Sequence, residues 1–143
     1  MQDKSNKETR GFTLVELLLV IGIIGILASV IISSLNDARD SSNDASIKQS
    51  LANVRAQSNV FYNDNNFSYD DGSASFCDSP NVQMVFVGIV EANGGTDPVC
   101  NDEIQSWAAA SVMFSASTTY WCVDSNGFVG ETMTALGSDT TCS

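Results

Sequence analysis

Histidine is absent from this sequence, and basic residues are absent from most of it. The chain has 143 residues and no His; its six Lys and Arg all lie at or before Arg55, whereas eleven Asp and Glu follow that position. Without His, the chain lacks the commonest general base and the commonest metal ligand. Without clustered Lys and Arg, the last 88 residues are a poor surface for nucleic acid. Their acidity fits a secreted or surface-exposed domain that repulsion keeps soluble.

The local patterns that mark most active sites are also absent. We find no serine nucleophile in a recognisable elbow and no glycine-rich phosphate loop. Oxygen ligands for Ca²⁺ do occur between residues 63 and 71, but their spacing is not that of an EF-hand, and we favour a solvated acidic loop. Asn101-Asp102-Glu103 is interpreted as the start of a helix or turn rather than a metal site. The sequence thus predicts no enzyme, no catalytic residue, no cofactor and no metal site.

Proline is scarce, and none interrupts residues 12–62, so a long helix can form there. Residues 1–11 are polar after Met1, whereas the twenty residues Leu17–Asn36 carry no charge. As a helix, twenty residues span about 30 Å, which is the thickness of a bilayer core. We therefore predict a leader over 1–11 and a transmembrane or filament-core helix over 12–36. Three basic residues precede the apolar block, so the N-terminus is expected in the cytoplasm and the C-terminus outside.

The helical pattern continues after the apolar block. Apolar residues recur at steps of four, three and seven, namely Ile47, Leu51, Val54 and Phe61. Three alanines are expected to broaden this stripe, namely Ala45, Ala52 and Ala56. Polar residues lie between them, which is typical of an amphipathic helix. Residues 37–62 are therefore predicted to extend the first helix, which would be about 75 Å long in all.

Residues 63–143 are predicted to form a globular head. Ser79-Pro80 is a helix-start signal before Val82, Val85, Phe86 and Ile89, although the β-branched content leaves a strand as the alternative. Strands are predicted over 107–115 and 119–124, with a hairpin turn at Asn126-Gly127 and residues 132–143 extended along the sheet. Three large aromatic residues are interpreted as packing residues, namely Trp107, Tyr120 and Trp121. The fold class is therefore α+β, a long helix packed on a small antiparallel sheet.

Four cysteines follow the apolar block, and none forms a CxxC pair. They stand at Cys77, Cys100, Cys122 and Cys142. An even number at wide spacing in a small domain predicts two disulfides and an oxidising compartment. Four cysteines allow three pairings. We favour the local one, Cys77–Cys100 with Cys122–Cys142, in which each bridge contributes about 3 kcal/mol in the chain-entropy model.

A carboxylate stands at the mouth of the apolar block, in the segment Gly11-Phe12-Thr13-Leu14-Val15-Glu16. An ionised group inside a membrane costs about 2.5–3.5 kcal/mol at the centre of a helix and less near its edge, and it usually has a partner. A free α-amine on Phe12 would supply one, provided that the chain is cut after Gly11. Phe12 and Glu16 are four residues apart, which would place them on one side of a helix.

These residues resemble the start of a type IV prepilin, a member of the pilin and pseudopilin superfamily that is made with a class III-type leader. The similarity covers Lys7 to about Ile31, in a polar leader that ends in Gly, a new first residue Phe and a Glu four residues later. The resemblance implies that a prepilin peptidase cuts between Gly11 and Phe12 and methylates the Phe12 amine. It also implies that Glu16 pairs with the N-terminus of a neighbouring subunit during assembly. Many members carry a Pro where this chain has Ile31-Ile32-Ser33-Ser34, so a kink there is in doubt.

The resemblance implies a structural role in an extracellular type IV pilus used for adhesion, motility or DNA uptake. The expected partners are other pilin subunits in a helical homopolymer, the prepilin peptidase, the pilus assembly machinery and the membrane, with no nucleic acid on the acidic head. A pseudopilin of a type II secretion system is the alternative, and a membrane-tethered binding domain is a third possibility. An ordinary signal peptide would instead be cut near Ser34 and would discard the motif.

Overall fold

A computed structural model describes residues 11–143. Its elements are α1 (Leu14–Asp64), α2 (Pro80–Ala92), β1 (Val99–Asp102), β2 (Trp107–Val112), β3 (Tyr120–Asp124) and β4 (Val129–Thr132). The predicted α+β class, with a long N-terminal helix and a small antiparallel sheet, is confirmed. The chain divides into two units, one ending at Asp37 and the other comprising Ala38–Ser143. The predicted leader lies outside the described residues except for Gly11.

The first part of α1 is apolar on every side, and its side chains are exposed within residues 11–143. Its most apolar stretch is wholly exposed, and α1 is the helix among residues 11–143 that is long and apolar enough to cross a membrane. The large side chains between Leu14 and Leu35 are 45–78% exposed. So much contiguous apolar surface is rare on a soluble monomer, and it marks a membrane or protein interface.

The later part of α1 buries a narrow stripe, made of Ile47, Leu51, Val54 and Ser58. The expectation that alanines broaden the stripe is wrong, because Ala45, Ala52 and Ala56 are exposed. Each helical residue is rotated by about 100° from the one before it, so Ala52 and Ala56 point away from the core that Leu51 enters. The core contacts only the larger side chains, and this leaves a second face of α1 uncovered.

The four strands form one antiparallel sheet in the order β1-β2-β3-β4, with each strand paired to its neighbours in sequence. Two of these strands match predicted ones, although β2 ends at Val112 and not at Ser115. The interpretation of Asn101-Asp102 as a helix or turn start is wrong, since both residues lie in β1 and pair with Ala108 and Trp107. The expected extension of the sheet over 132–143 is also wrong, because β4 ends at Thr132.

The core of the second unit joins α1, α2 and the sheet. The predicted helix after Ser79-Pro80 forms, and it buries Val82, Phe86, Ile89 and Ala92. Trp107 is fully buried at the start of β2, and its ring centroid lies 5.0 Å from that of Phe76. Aromatic pairs at this distance add about 0.5–1.5 kcal/mol to the burial of their area. The packing roles expected of Trp107 and, in part, of the half-buried Trp121 agree with this core.

Two disulfides hold the segments that have little regular structure. Cys77 is joined to Cys100 with Cα atoms 5.7 Å apart, and Cys122 is joined to Cys142 with Cα atoms 6.0 Å apart. The first bridge ties the segment before α2 to β1. The second ties the chain end to β3, which is how the segment after β4 is held without a strand of its own.

We expect the same pairing in the purified protein. Digestion without reduction should release one peptide pair containing Cys77 and Cys100 and another containing Cys122 and Cys142, because both pairs have Cα distances within the usual range for a disulfide. Mass spectrometry before and after reduction identifies the pairs. A linked peptide containing Cys77 and Cys142 would refute this connectivity.

Candidate processing and assembly site

The backbone before α1 is not helical. Gly11, Phe12 and Thr13 precede the first helical residue, Leu14, and all three are exposed. Apart from its two chain neighbours, no atom among residues 11–143 lies within 4 Å of the position that a Cβ would take on Gly11. The peptide bond between Gly11 and Phe12 therefore lies in accessible, non-helical chain, which is the form in which a peptidase can bind its substrate. Because α1 begins at Leu14, the expectation that Phe12 and Glu16 share one face of a helix is wrong.

Glu16 has a local partner that was not predicted from the sequence. Its Oε2 atom accepts a hydrogen bond from the Thr13 backbone N–H at 3.0 Å and another from Thr13 Oγ1 at 2.7 Å. The Glu16 backbone N–H donates in return to Thr13 Oγ1 at 3.3 Å. Thr13 and Glu16 thus form a capping box, in which an N-cap side chain and the third helical residue satisfy each other's backbone donors. The Thr-x-x-Glu spacing is the signal that could have predicted it.

Glu16 has two separate properties, its hydrogen bonds in the capping box and its negative charge. Its hydrogen bonds to Thr13 stabilise the helix start by about 1 kcal/mol, and Gln can make them too. Its negative charge is a separate property, which only a cation can neutralise. The Thr13 hydroxyl and amide supply no positive charge, so the local partner leaves the charge of Glu16 uncompensated. This separation allows the two roles to be tested independently.

The acidic side chains of the loop after α1 accept hydrogen bonds from nearby backbone N–H groups. Asp70 Oδ1 accepts from Gly72 N–H at 2.8 Å, and Asp71 Oδ1 accepts from Ser73 and Ala74 N–H at 2.8 and 2.9 Å. These N–H donors lower the pKa of Asp71 below its ordinary value. The stabilisation is thus present above the unfolded-state pKa and is lost as the pH falls through the lower folded-state pKa. Within residues 11–143 no three His, Cys, Asp or Glu side chains converge in a way that could hold a metal.

Asp124 anchors the end of the chain, and no pattern in the sequence indicated this role. It lies at the end of β3 with only 2% of its surface exposed. Its Oδ1 atom accepts from Phe128 N–H at 2.9 Å, and its Oδ2 atom accepts from Cys142 N–H at 3.0 Å. One buried carboxylate therefore fixes both the β3–β4 turn and the residue whose sulfur is joined to Cys122.

We expect Asp124→Ala to destabilise the second unit by about 2–6 kcal/mol, because it leaves two backbone donors without an acceptor at about 1–3 kcal/mol each when buried. Asp124→Asn is the matched control, since its single carbonyl oxygen can replace only one of the two acceptors. Urea unfolding of the detergent-solubilised chain, followed by tryptophan fluorescence, should place Asp124→Asn between the wild type and Asp124→Ala. Equal midpoints for all three chains would contradict this anchoring role.

Comparisons with known proteins agree with the geometry of the N-terminal segment. The family profile of the prokaryotic N-terminal methylation motif matches residues 6–32. A type IV wide pilus major component, PilA4 of Thermus thermophilus, is 41% identical over 69 residues, which are 48% of this chain and 52% of the relative. The chain thus aligns with about half the length of this curated relative. No solved structure matches the chain significantly.

The matched profile covers the Gly11-Phe12 bond, the capping box and most of the exposed apolar part of α1. The structural features that lie outside it, the two disulfides and the four-stranded sheet, agree with the small head that the resemblance implied. The chain thus carries the prokaryotic N-terminal methylation motif at the start of an exposed apolar helix, and it is similar to a type IV pilus major component.

Proposed function

We propose that this protein is a structural subunit of a type IV pilus. The observation that carries the proposal is the first part of α1, an apolar helix that is exposed in the described part of the chain and begins at the Thr13–Glu16 capping box. A membrane can cover this surface while the subunit is single. Neighbouring copies of the same helix can cover it after assembly, which explains why one segment must be compatible with both surroundings.

Processing supplies the other half of the proposal. A prepilin peptidase cuts after Gly11 and methylates the new amine of Phe12. The cut creates a positive group close in the chain to Glu16 in each copy. In a filament core of low dielectric, the attraction between that amine and the Glu16 carboxylate of a neighbour is much stronger than in water. The pairing then sets the register between subunits, because other offsets leave both charges buried and unpaired.

The location follows from the charge distribution. Three basic residues precede the apolar helix, and the segment after Arg55 is acidic, so the N-terminus stays in the cytoplasm and the second unit is exported. The two disulfides suit the oxidising side of the membrane. Subunits are held in the cytoplasmic membrane before assembly and are extracellular afterwards. The acidity of the exported unit disfavours direct contact with nucleic acid.

Electron microscopy of material sheared from the cell surface tests the proposed function. Cells that carry the gene should yield filaments that contain this chain, and cells that lack it should yield none. Filaments confined to the periplasm would instead identify the secretion pseudopilin. A chain that stays in the membrane as single molecules would identify a tethered domain and would overturn both filament functions.

A further inference from the structure

The charge of the second unit restricts how its copies can meet. It contains thirteen acidic side chains and only three basic ones, Arg39, Lys48 and Arg55. Charges interact across water over about 8–10 Å at moderate salt, so two such surfaces repel each other when they come close. A contact between copies is therefore favoured where one of these few cations meets a carboxylate.

Lys48 is already engaged within its own copy. Its Nζ atom lies 3.2 Å from Glu131 Oε1 and 4.5 Å from the centre of the Trp121 ring. The Arg55 guanidinium, in contrast, makes no ion pair and no hydrogen bond to any part of the chain between residues 11 and 143. Arg55 is exposed, and its Nη2 atom lies beside Gly127 in the turn between β3 and β4. Its positive charge is therefore available to a partner outside this copy.

Arg55 borders an open surface groove of about 470 Å³ between α1 and β4. We call this the apolar groove; it is lined by Ala52, Arg55, Ala56, Asn59 and Val129. Ala52 and Ala56 belong to the face of α1 that the core leaves uncovered, and Val129 is 45% exposed. The groove therefore combines small apolar side chains with one unpaired positive charge.

A second exposed surface of the same unit has the opposite character. We call it the acidic patch; it comprises Phe67, Asp70, Glu103 and Ile104. Ile104 is 62% exposed and Phe67 is 60% exposed, and Asp70, Glu103 and Ile104 surround one shallow depression. The Asp70 carboxylate accepts from the Gly72 amide, whereas the Glu103 carboxylate has no partner within the described part of the chain.

Hydrogen bonds hold the backbone of the acidic patch in one conformation. Gln105 Nε2 donates to the Phe67 carbonyl at 3.0 Å, and Tyr62 donates from its hydroxyl to Gln105 Oε1 at 2.8 Å. The Tyr69 N–H donates to the Ile104 carbonyl at 3.1 Å. Phe67 has a backbone φ of 60°, in the left-handed region that non-glycine residues rarely adopt. These hydrogen bonds hold the backbone of Phe67 and Ile104, whose apolar side chains are both exposed.

We propose that the apolar groove of one copy receives the acidic patch of a second copy, with Ile104 against Ala52, Ala56 and Val129 and with Glu103 paired to Arg55. The inference rests on the proposed function, since it describes a contact inside the filament. The two surfaces are different, so the contact is heterologous and can repeat from copy to copy without closing. In the proposed filament, the α1 helices of neighbouring copies run parallel. The patch adjoins Tyr62 and the groove is centred on Arg55, so pairing the two surfaces displaces one copy along α1 by about seven residues of helix, roughly 10 Å.

An exchange of charges tests the pairing in cells whose only pilin is the full-length chain. Arg55→Glu and Glu103→Arg should each lower the yield of sheared filaments by about tenfold or more, since each places like charges together at a close contact. The double variant Arg55→Glu/Glu103→Arg should recover most of the wild-type yield. Membrane levels and disulfide formation are measured in parallel, and Arg55→Gln replaces Arg55→Glu if the latter is not stable.

Arg39 provides the matched control, because it is a second exposed arginine on α1 and lies outside the groove. Arg39→Glu/Glu103→Arg has the same net charge as the exchange variant and should stay as poor as Glu103→Arg alone. Equal recovery with Arg39→Glu, or a normal yield from Arg55→Glu, would overturn the docking proposal while leaving the filament function intact. An absence of filaments from the wild-type chain would instead overturn the proposed function, and the docking proposal with it.

Discussion

Glu16→Leu is expected to abolish or nearly abolish filaments while the chain is still made, inserted and oxidised. Glu16 lies in the first unit, more than twenty residues before the second unit begins at Ala38, so the disulfides and the sheet do not depend on it. In the proposed filament, its loss leaves the methylated Phe12 amine of a neighbour buried without a counter-charge. Breaking a buried ion pair by removing one partner costs about 3–5 kcal/mol, and about 1.4 kcal/mol is a factor of ten. Filament yield should therefore fall by at least about a hundredfold.

The capping box makes a sharper control possible. Glu16→Gln keeps an acceptor for the Thr13 N–H and hydroxyl but removes the charge. Thr13→Val keeps the charge but removes the side-chain half of the capping box. If assembly needs the charge, Glu16→Gln should fail almost as completely as Glu16→Leu, and Thr13→Val should still form filaments. The opposite pattern would show that this carboxylate acts only as a helix cap.

Gly11→Val is expected to block processing and, through it, assembly. A β-branched side chain replaces the small residue on the leader side of the bond that the peptidase must bind. The uncut chain keeps its polar leader and never exposes the Phe12 amine, so Glu16 lacks its partner in the filament. Gly11→Ala, a smaller change, should be cut slowly and give an intermediate yield. Gel mobility and intact mass of the membrane fraction measure the processed share.

Gly22→Val is the matched control for Gly11→Val, because the same change at Gly22 should not affect cleavage. Gly22 lies within α1. Apart from its chain neighbours and the adjacent helix backbone, no atom among residues 11–143 lies within 4 Å of the position that its Cβ would take, so the free chain can accommodate the substitution. The leader of Gly22→Val should be removed as fully as that of the wild type. Complete processing of Gly11→Val would contradict the assignment of the cleavage site to the bond after Gly11.

The features that could be predicted from the sequence are those that a short segment determines. The apolar part of α1 needs no partner within the chain, so its composition alone indicated a helix that could span a membrane. The Gly11-Phe12 junction and Glu16 also lie within a few residues of one another. The start of α2 was predictable because Ser79-Pro80 is a local signal, although the Ser79 side chain makes no capping hydrogen bond.

The features that were missed depend on residues distant in the chain. Strand β1, Val99–Asp102, has no alternation of buried and exposed side chains, since three of its four residues are half-buried. It forms because β2 pairs with it. Asp124 binds the backbone of Cys142, eighteen residues later, which no local pattern reveals. Arg55 and Val129 meet at the apolar groove only after α1 and β4 have packed. Thr13 is the exception, since the Thr-x-x-Glu pattern was available in the sequence.

The intact mass of the subunit in purified surface filaments tests the central claim most directly. We predict a single chain that begins at Phe12, carries one added methyl group on the Phe12 amine and contains both disulfides. Fragmentation of the N-terminal peptide places the methyl group. Filaments built from a chain that begins at Met1, or one that begins near Ser34 and lacks Glu16, would contradict it.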